Sequence, residues 1–421
     1  MDGLKRVVSQ NSEPSTSSGK VSLDPDCVII VRMIIMGGWS LHHILPVCAM
    51  LFQCTKAACG FSLGVGGDAN SMCIEKEREA LVKFKQGPVD DYGHLSSWGN
   101  EDVKKDCRKW RGIKCSNQTG HVIMLDLQVT SVSYFLAFEP LRGEIHPSLL
   151  ELQHLNYLDL SNNDFGGGHN PIFIGHLTKL RYLNLSCANF TGTIPYQLGN
   201  LTSLHYLNLG WNNGFLNVEN LEWLFHFSSL RHLDMSHVNL GKAIDWFQAI
   251  HMLPSLSELH LSGCQLSDVV PPLSFSNSST STLAFIDLSR NFLSSSILHW
   301  LSNFSGSLLD VDLSDNHLQG SIPDVFQNMK SLTHLSLSFN QLEWSIPKSF
   351  RNVCTLQILD LSSNNFTEEL PKFVQNLPGC IENSLESLDL SLNQFSGSLP
   401  DNKIFIIERI ISSSKSFDRV F

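Results

Sequence analysis

The sequence predicts an α/β repeat solenoid, a right-handed coil bent into a horseshoe. Its concave side is a parallel β-sheet and its convex side is mostly irregular or 3-10 structure. Three observations lead there. The template L-x-x-L-x-L-x-x-N-x-L starts at Leu155, Leu180, Leu204, Leu230, Leu256, Leu283, Leu308, Leu332, Leu356 and Leu385. Successive starts lie 24 to 29 residues apart, the size of one supersecondary unit rather than of one domain. The 421 residues are 42% hydrophobic and only 16% charged, enough apolar material for a long core and unlike a disordered chain.

Each element of the coil follows from the template. The leucines at positions 4 and 6 alternate inward along a short strand, and positions 3 and 5 point out. Stacked strands make one continuous sheet. The Asn at position 9 turns the chain out of the strand, and its amide can satisfy backbone groups that a tight turn buries. Asn163, Asn212, Asn291, Asn316, Asn340, Asn364 and Asn393 fill that position, with Cys264 as a substitute. Ala188 and Val238 do not fit, which predicts looser turns there. A second motif follows in several coils: Gly192-Thr-Ile194-Pro195, Gly320-Ser-Ile322-Pro323 and Gly397-Ser-Leu399-Pro400. Proline fixes φ and cannot donate, so the motif marks an extended convex segment. Residues 204–282 lose it, which predicts an irregular back in that stretch.

Ahead of the repeats, residues 1–35 read as a disordered or mis-assigned leader and 36–60 as a signal peptide. The latter holds an apolar run, Ile44–Phe52, then Lys56 and small residues. No apolar run reaches the ~20 residues a spanning helix needs. Residues 73–116 read as a cap on the first coil and 121–400 as the solenoid, with a first strand over His121–Leu127. Residues 401–421 form a divergent tail that leaves the last coil uncovered, so the chain reads as the front of a longer product.

The function classes narrow quickly. A net charge of −11 argues against nucleic acid, which demands a basic face. There is no H-E-x-x-H, G-x-S-x-G, P-loop or kinase signature, so an enzyme, a cofactor and a metal are not expected. Asp310-Val-Asp312-Leu-Ser-Asp315 lacks the glycine of a calcium loop. Outward positions of the strands are left to do the binding. Position 3 reads Tyr157, Tyr182, Tyr206, His232, Glu258, Phe285, Asp310, His334, Ile358 and Ser387. Position 5 reads Asp159, Asn184, Asn208, Asp234, His260, Asp287, Asp312, Ser336, Asp360 and Asp389. From these columns Tyr157, Asp159, Tyr182, Tyr206, His232, Asp234 and His260, with Trp211 nearby, are the candidate ligand-binding residues, since amphipathic aromatics favour interfaces. The competing reading is that Asp at position 5 and Tyr at position 3 are habits of the repeat. Of the N-x-S/T sequons, Asn117, Asn200, Asn303 and Asn365 are the expected glycosylation sites.

These residues resemble plant extracellular leucine-rich-repeat receptor-like proteins, such as the receptors of fungal ethylene-inducing xylanase. The cap region carries the resemblance: Cys73-Ile-Glu-Lys-Glu-Arg-Glu-Ala-Leu81-Val-Lys-Phe84, Leu95-Ser-Ser-Trp98, Asp106-Cys107-Arg-Lys-Trp110-Arg-Gly112-Ile-Lys-Cys115 and Gly120-His121-Val122. The resemblance implies a short amphipathic helix near Glu75–Gln86 and a cystine-braced hairpin. It pairs Cys73 with Cys107 and leaves Cys115 over, because Arg108 stands where the family has another cysteine. A Cys107–Cys115 pair is the alternative. No standard pairing is expected among Cys187, Cys264, Cys354 and Cys380. The family further implies an ectodomain in the secretory pathway, on the outer side of the plasma membrane or free in the apoplast. It would bind a microbial protein or peptide and signal through a membrane co-receptor or adaptor kinase. A soluble inhibitor of wall-degrading enzymes, similar to polygalacturonase-inhibiting proteins, or a decoy is the alternative.

Overall fold

The computed structural model describes residues 73–129, 139–166, 171–212, 216–268, 282–343, 347, 350, 352–375 and 379–397, all within one compact unit, Gly67–Phe421. The leader, signal-peptide and tail assignments fall outside the described residues.

The chain enters through helix α1, Glu75–Phe84, which buries Ala80, Leu81 and Phe84. Phe84 lies 6.0 Å from Trp98, which stacks on Trp110 at 5.5 Å. Both indole N–H groups donate to backbone carbonyls, of Arg111 and Lys104. The buried Glu77 fastens the helix to the start of the sheet, accepting from the Val122 amide at 2.6 Å and pairing with His121 Nδ1 at 2.8 Å. Cys73 and Cys107 form a disulfide, and the buried Cys115 sulfur lies 3.9 Å from that of Cys107. Strand β1, Ile113–Cys115, runs antiparallel to β2, Val122–Asp126. Gly112 has φ +76°, and a Cβ there would sit 2.1 Å from the Asp126 carbonyl oxygen, so only glycine fits.

From β2 onward the sheet is parallel. Its strands are β3 Tyr157–Asp159, β4 Tyr182–Asn184, β5 Tyr206–Asn208, β6 His232–Asp234, β7 Glu258–His260, β8 Phe285–Asp287, β9 Asp310–Asp312, β10 His334–Ser336, β11 Ile358–Asp360 and β12 Ser387–Asp389. With β1 they form one 12-stranded sheet in sequence order. Adjacent strands pair in strict template register, for example Leu233 with Leu259 and Leu335 with Leu359. The leucines at positions 1, 4 and 6 are almost wholly buried and form a continuous core. At about 25 cal/mol per Å² of apolar surface, this spine is the main source of stability.

The position-9 amides work as a ladder between coils. Asn291 Nδ2 donates to the carbonyls of Leu261, Leu288 and Ser289, and its Oδ1 accepts from the amides of Cys264 and Leu266. Where Cys264 replaces Asn, its sulfur reaches the Met235 carbonyl at 3.1 Å.

Three expectations change. The turns at Ala188 and Val238 are not looser. Cys187 and His237 keep the left-handed φ (51° and 62°) that precedes position 9 in the other coils, and their amides still bond to the next coil. Neighbours supply the missing donors: Asn212 takes the Leu185 carbonyl and the Val238 amide takes Met235's. The described part of the back of 204–282 is also more regular than expected. It carries a 3-10 turn at Glu222–His226 and helix α2 at Trp246–His251, because Trp246 and Phe247 must be buried and pack on Trp300. Finally, Cys354 and Cys380 are bonded, against the expectation of no pairing. They lie 26 residues apart, about one coil, so stacking brings their connections together.

Candidate functional site

The outward positions of the concave face behave as two different columns. At position 5 the side chain serves its own coil. The carboxylate or amide oxygen of Asp159, Asn184, Asn208, Asp234, Asp287, Asp312, Asp360 and Asp389 accepts from the backbone N–H two residues on, at 2.8 to 3.1 Å. Such local Asx bonds explain why Asp and Asn recur here. Asp159 is the extreme case. It is 1% exposed, and Ser161 Oγ, Tyr182 Oη and Asn184 Nδ2 also donate to it. Burial pushes its carboxyl up. His260 and Ser336 break the pattern.

At position 3 the side chains meet across coils. Tyr157, Tyr182, Tyr206 and His232 stack at centroid distances of 4.1, 4.3 and 4.2 Å, with planes within 10°. The ladder then crosses to position 5, with His232 to His260 at 5.1 Å and His260 to Phe285 at 4.7 Å. Six rings thus run from β3 to β8. Stacking covers their faces, so what they offer to a partner is edges and polar tips. Burial raises the pKa of all three phenols, so they remain neutral hydroxyls at any physiological pH. At the turn in the ladder, His232 Nδ1 lies 2.8 Å from Glu258 Oε2. That hydrogen bond first, then His232's charge, holds the Glu258 carboxyl low against burial. Burial lowers the His260 imidazole, while Asp234 opposes it.

The structure therefore brings together Tyr157, Tyr182, Tyr206, His232 and His260, and sets Asp159 and Asp234 at their feet. Trp211 stands apart. It has φ +59°, packs on His237 at 4.0 Å and lines an open hollow of about 590 Å³ with Tyr92, Arg142, Asp164 and Cys187. Glu258 and Phe285 belong to the cluster although they were not among the candidates; their membership of the position-3 column was the available signal. Of the sequons, Asn117, Asn200 and Asn303 are exposed, whereas Asn365 is half-buried and donates to Glu343 at 3.3 Å.

Comparison with known proteins agrees with this architecture. The leucine rich repeat N-terminal domain matches residues 74–116, and leucine rich repeat families match 151–168, 179–201, 255–277, 306–366 and 384–402. In fold the chain is similar to the PEPR1 chain of the PEPR1–AtPEP1 crystal structure, with a TM-score of 0.50 at 23% identity over 80% of this chain and 51% of that one. The class is thus a leucine-rich-repeat solenoid with its own N-terminal cap. Within that class, the chain is 45% identical over 280 residues to Receptor-like protein EIX1 of Solanum lycopersicum, and 46% over 269 residues to its EIX2. It is similar to the plant leucine-rich-repeat receptor-like proteins of the EIX family. Those alignments take in 65% and 63% of this chain but 27% and 26% of the relatives. Nothing in the matches points to catalysis, and no helix among the described residues is long and apolar enough to cross a membrane.

Proposed function

We propose that this chain is an extracellular recognition surface of a plant immune receptor-like protein. It binds a microbial protein or peptide along its concave face and passes the signal on through a partner kinase at the membrane. The observation that carries this reading is the ring ladder. Most position-5 side chains are spent on the coil's own turns, but three tyrosines in consecutive coils stack and line up their edges along the sheet. Edge-presented hydroxyls above the carboxyls of Asp159 and Asp234 suit a partner rich in donors and basic groups, in keeping with the net charge of −11. The class of partner follows the family, whose tomato members are named as receptor-like proteins. The same reading puts the chain in the secretory pathway, with Asn117, Asn200 and Asn303 the sites best placed to carry glycans.

Surface plasmon resonance of the secreted chain against a panel of fungal xylanases and other wall-degrading enzymes tests this. Tyr182→Ala, at the centre of the ladder, should weaken a captured partner by roughly 30-fold, the size of an aromatic hot spot. Secretion should be unchanged. Equal affinity for the variant would move the binding face elsewhere.

A further inference from the structure

The coil of β7 departs from the repeat at both outward positions. Glu258 interrupts the position-3 rings, and His260 replaces the Asp or Asn that closes the turn in most other coils. Next to it, β6 places His232 where the three preceding coils have tyrosine. The parallel register sets His232 beside Glu258 and Asp234 beside His260. His232, Glu258 and His260 each offer one ligand atom, and these atoms lie within 4.8 Å of one another. His232 is 7% exposed, and the Nε2 atoms of both His232 and His260 are buried with no hydrogen-bond partner among the described residues. A buried imidazole nitrogen without a partner is costly unless something accepts its donor or takes its lone pair.

We propose that His232, Glu258 and His260 form a binding site for one borderline transition-metal dication of the zinc class. Two imidazoles and a carboxylate are a donor set that suits zinc, and three protein ligands leave one position for solvent in four-coordination. The surroundings prepare the site. Tyr206 stacks on His232 at 4.2 Å and Phe285 packs at a tilt on His260 at 4.7 Å, and both restrict the imidazoles' rotation. Asp234 and Asp287, on the strands to either side of β7, are not needed as ligands, since each already accepts from its own turn. A metal would take the place of the hydrogen bond between His232 Nδ1 and Glu258 Oε2, or engage the buried Nε2 atoms. The proposal concerns a metal alone and stands whether or not the concave face binds a microbial partner.

The repeat itself supplies gentle variants. His232→Tyr restores the residue of the three preceding coils, and His260→Asn restores a residue that serves the same position in β4 and β5. The test is isothermal titration of the oxidised full chain, freed of metal by chelator, with zinc alone at pH 7.5. One zinc per chain is expected, and each variant should abolish the heat while circular dichroism stays unchanged. The half-exposed Glu258→Gln, which cannot disturb the core, should weaken binding at least about 10-fold. A second sulfur-rich cluster, Cys73, Cys107 and Cys115, could in principle hold a metal after reduction. Cys115→Ser should therefore leave the titration unaltered, and cobalt should give ligand-field bands without thiolate charge transfer. Absence of stoichiometric zinc binding, retention of binding in Glu258→Gln and His260→Asn, or its loss in Cys115→Ser would overturn the assignment.

Discussion

The coils that carry β7 and β11 share one frame and differ in their polar residues. Leu259 and Leu359 are both fully buried, and both strands pair in template register on each side. In the β11 coil Asp360 closes the turn and Asn364 bridges to the coil before it. In the β7 coil those places hold His260 and Cys264, and Glu258 stands on the outward face where β11 has Ile358. The β11 coil spends its polar side chains on its own backbone, and the β7 coil has given up part of that. In a repeat protein such departures separate residues kept for the frame from residues available for chemistry, because the frame is fully accounted for elsewhere in the same molecule.

The largest effect should come from breaking the frame where it is complete. Asn364 is 9% exposed and donates to the carbonyls of Leu337, Leu361 and Ser362, while accepting from the Leu342 amide. Asn364→Ala strands the buried Leu342 amide and takes one of two donors from each of the Leu337, Leu361 and Ser362 carbonyls, and should cost about 3 kcal/mol in denaturant unfolding. Cys264→Ala removes only weak sulfur contacts to Met235 and Ser262 and a small volume, so about 1 kcal/mol is expected. Equal losses would mean that the two turns are equivalent after all, and the contrast between the coils would fail.

How much of this was legible in the sequence follows from the same division. Whatever recurs within one coil was readable: the buried leucines, the turn asparagines, the strand positions and the cap region. Contacts between coils were harder. Cys354 and Cys380 fall in connecting segments of different length, and only their separation of about one period hinted that they meet. The ring ladder was visible as a tyrosine column, but its crossing from His232 to His260 depends on how two side chains of unequal reach lean between strands. Trp211 looked like part of the tyrosine patch by proximity along the chain. Its left-handed backbone turns it instead toward His237 and the lateral hollow.

A smaller effect tests the outward face behind the ladder. Asp310 occupies position 3 of β9, where burial first, then the charges of Asp312 and Asp287, push its carboxyl up to about 7. The unfolded chain releases that proton near the ordinary aspartate value of about 3.9. Between those two pH values the folded chain holds a proton that the unfolded chain has lost. Stability therefore falls as pH rises through the window, and the full cost is present above pH 7. Asp310→Asn should raise stability at pH 7.5 by about 1–2 kcal/mol and leave it unchanged at pH 4. A gain of the same size at both pH values would point to packing instead of charge.

The smallest effect is the most direct on the contrast itself. If His260 occupies its position at the expense of the frame, then returning the residue of β4 and β5 should stabilise the chain when no metal is present. His260→Asn provides an acceptor for the amide two residues on, as Asn184 and Asn208 do at 3.1 and 2.9 Å, and removes a buried nitrogen without a partner. It also takes one ring from the ladder, which offsets part of the gain. The net change in chelator should be a gain of about 0.5 kcal/mol, read as a shift in the urea midpoint with an unaltered slope. With excess zinc the order should reverse, because only the wild-type coil then binds a ligand that the unfolded chain lacks. A variant less stable than wild type in chelator would show that His260 belongs to the frame, and that this coil has given up nothing by holding it.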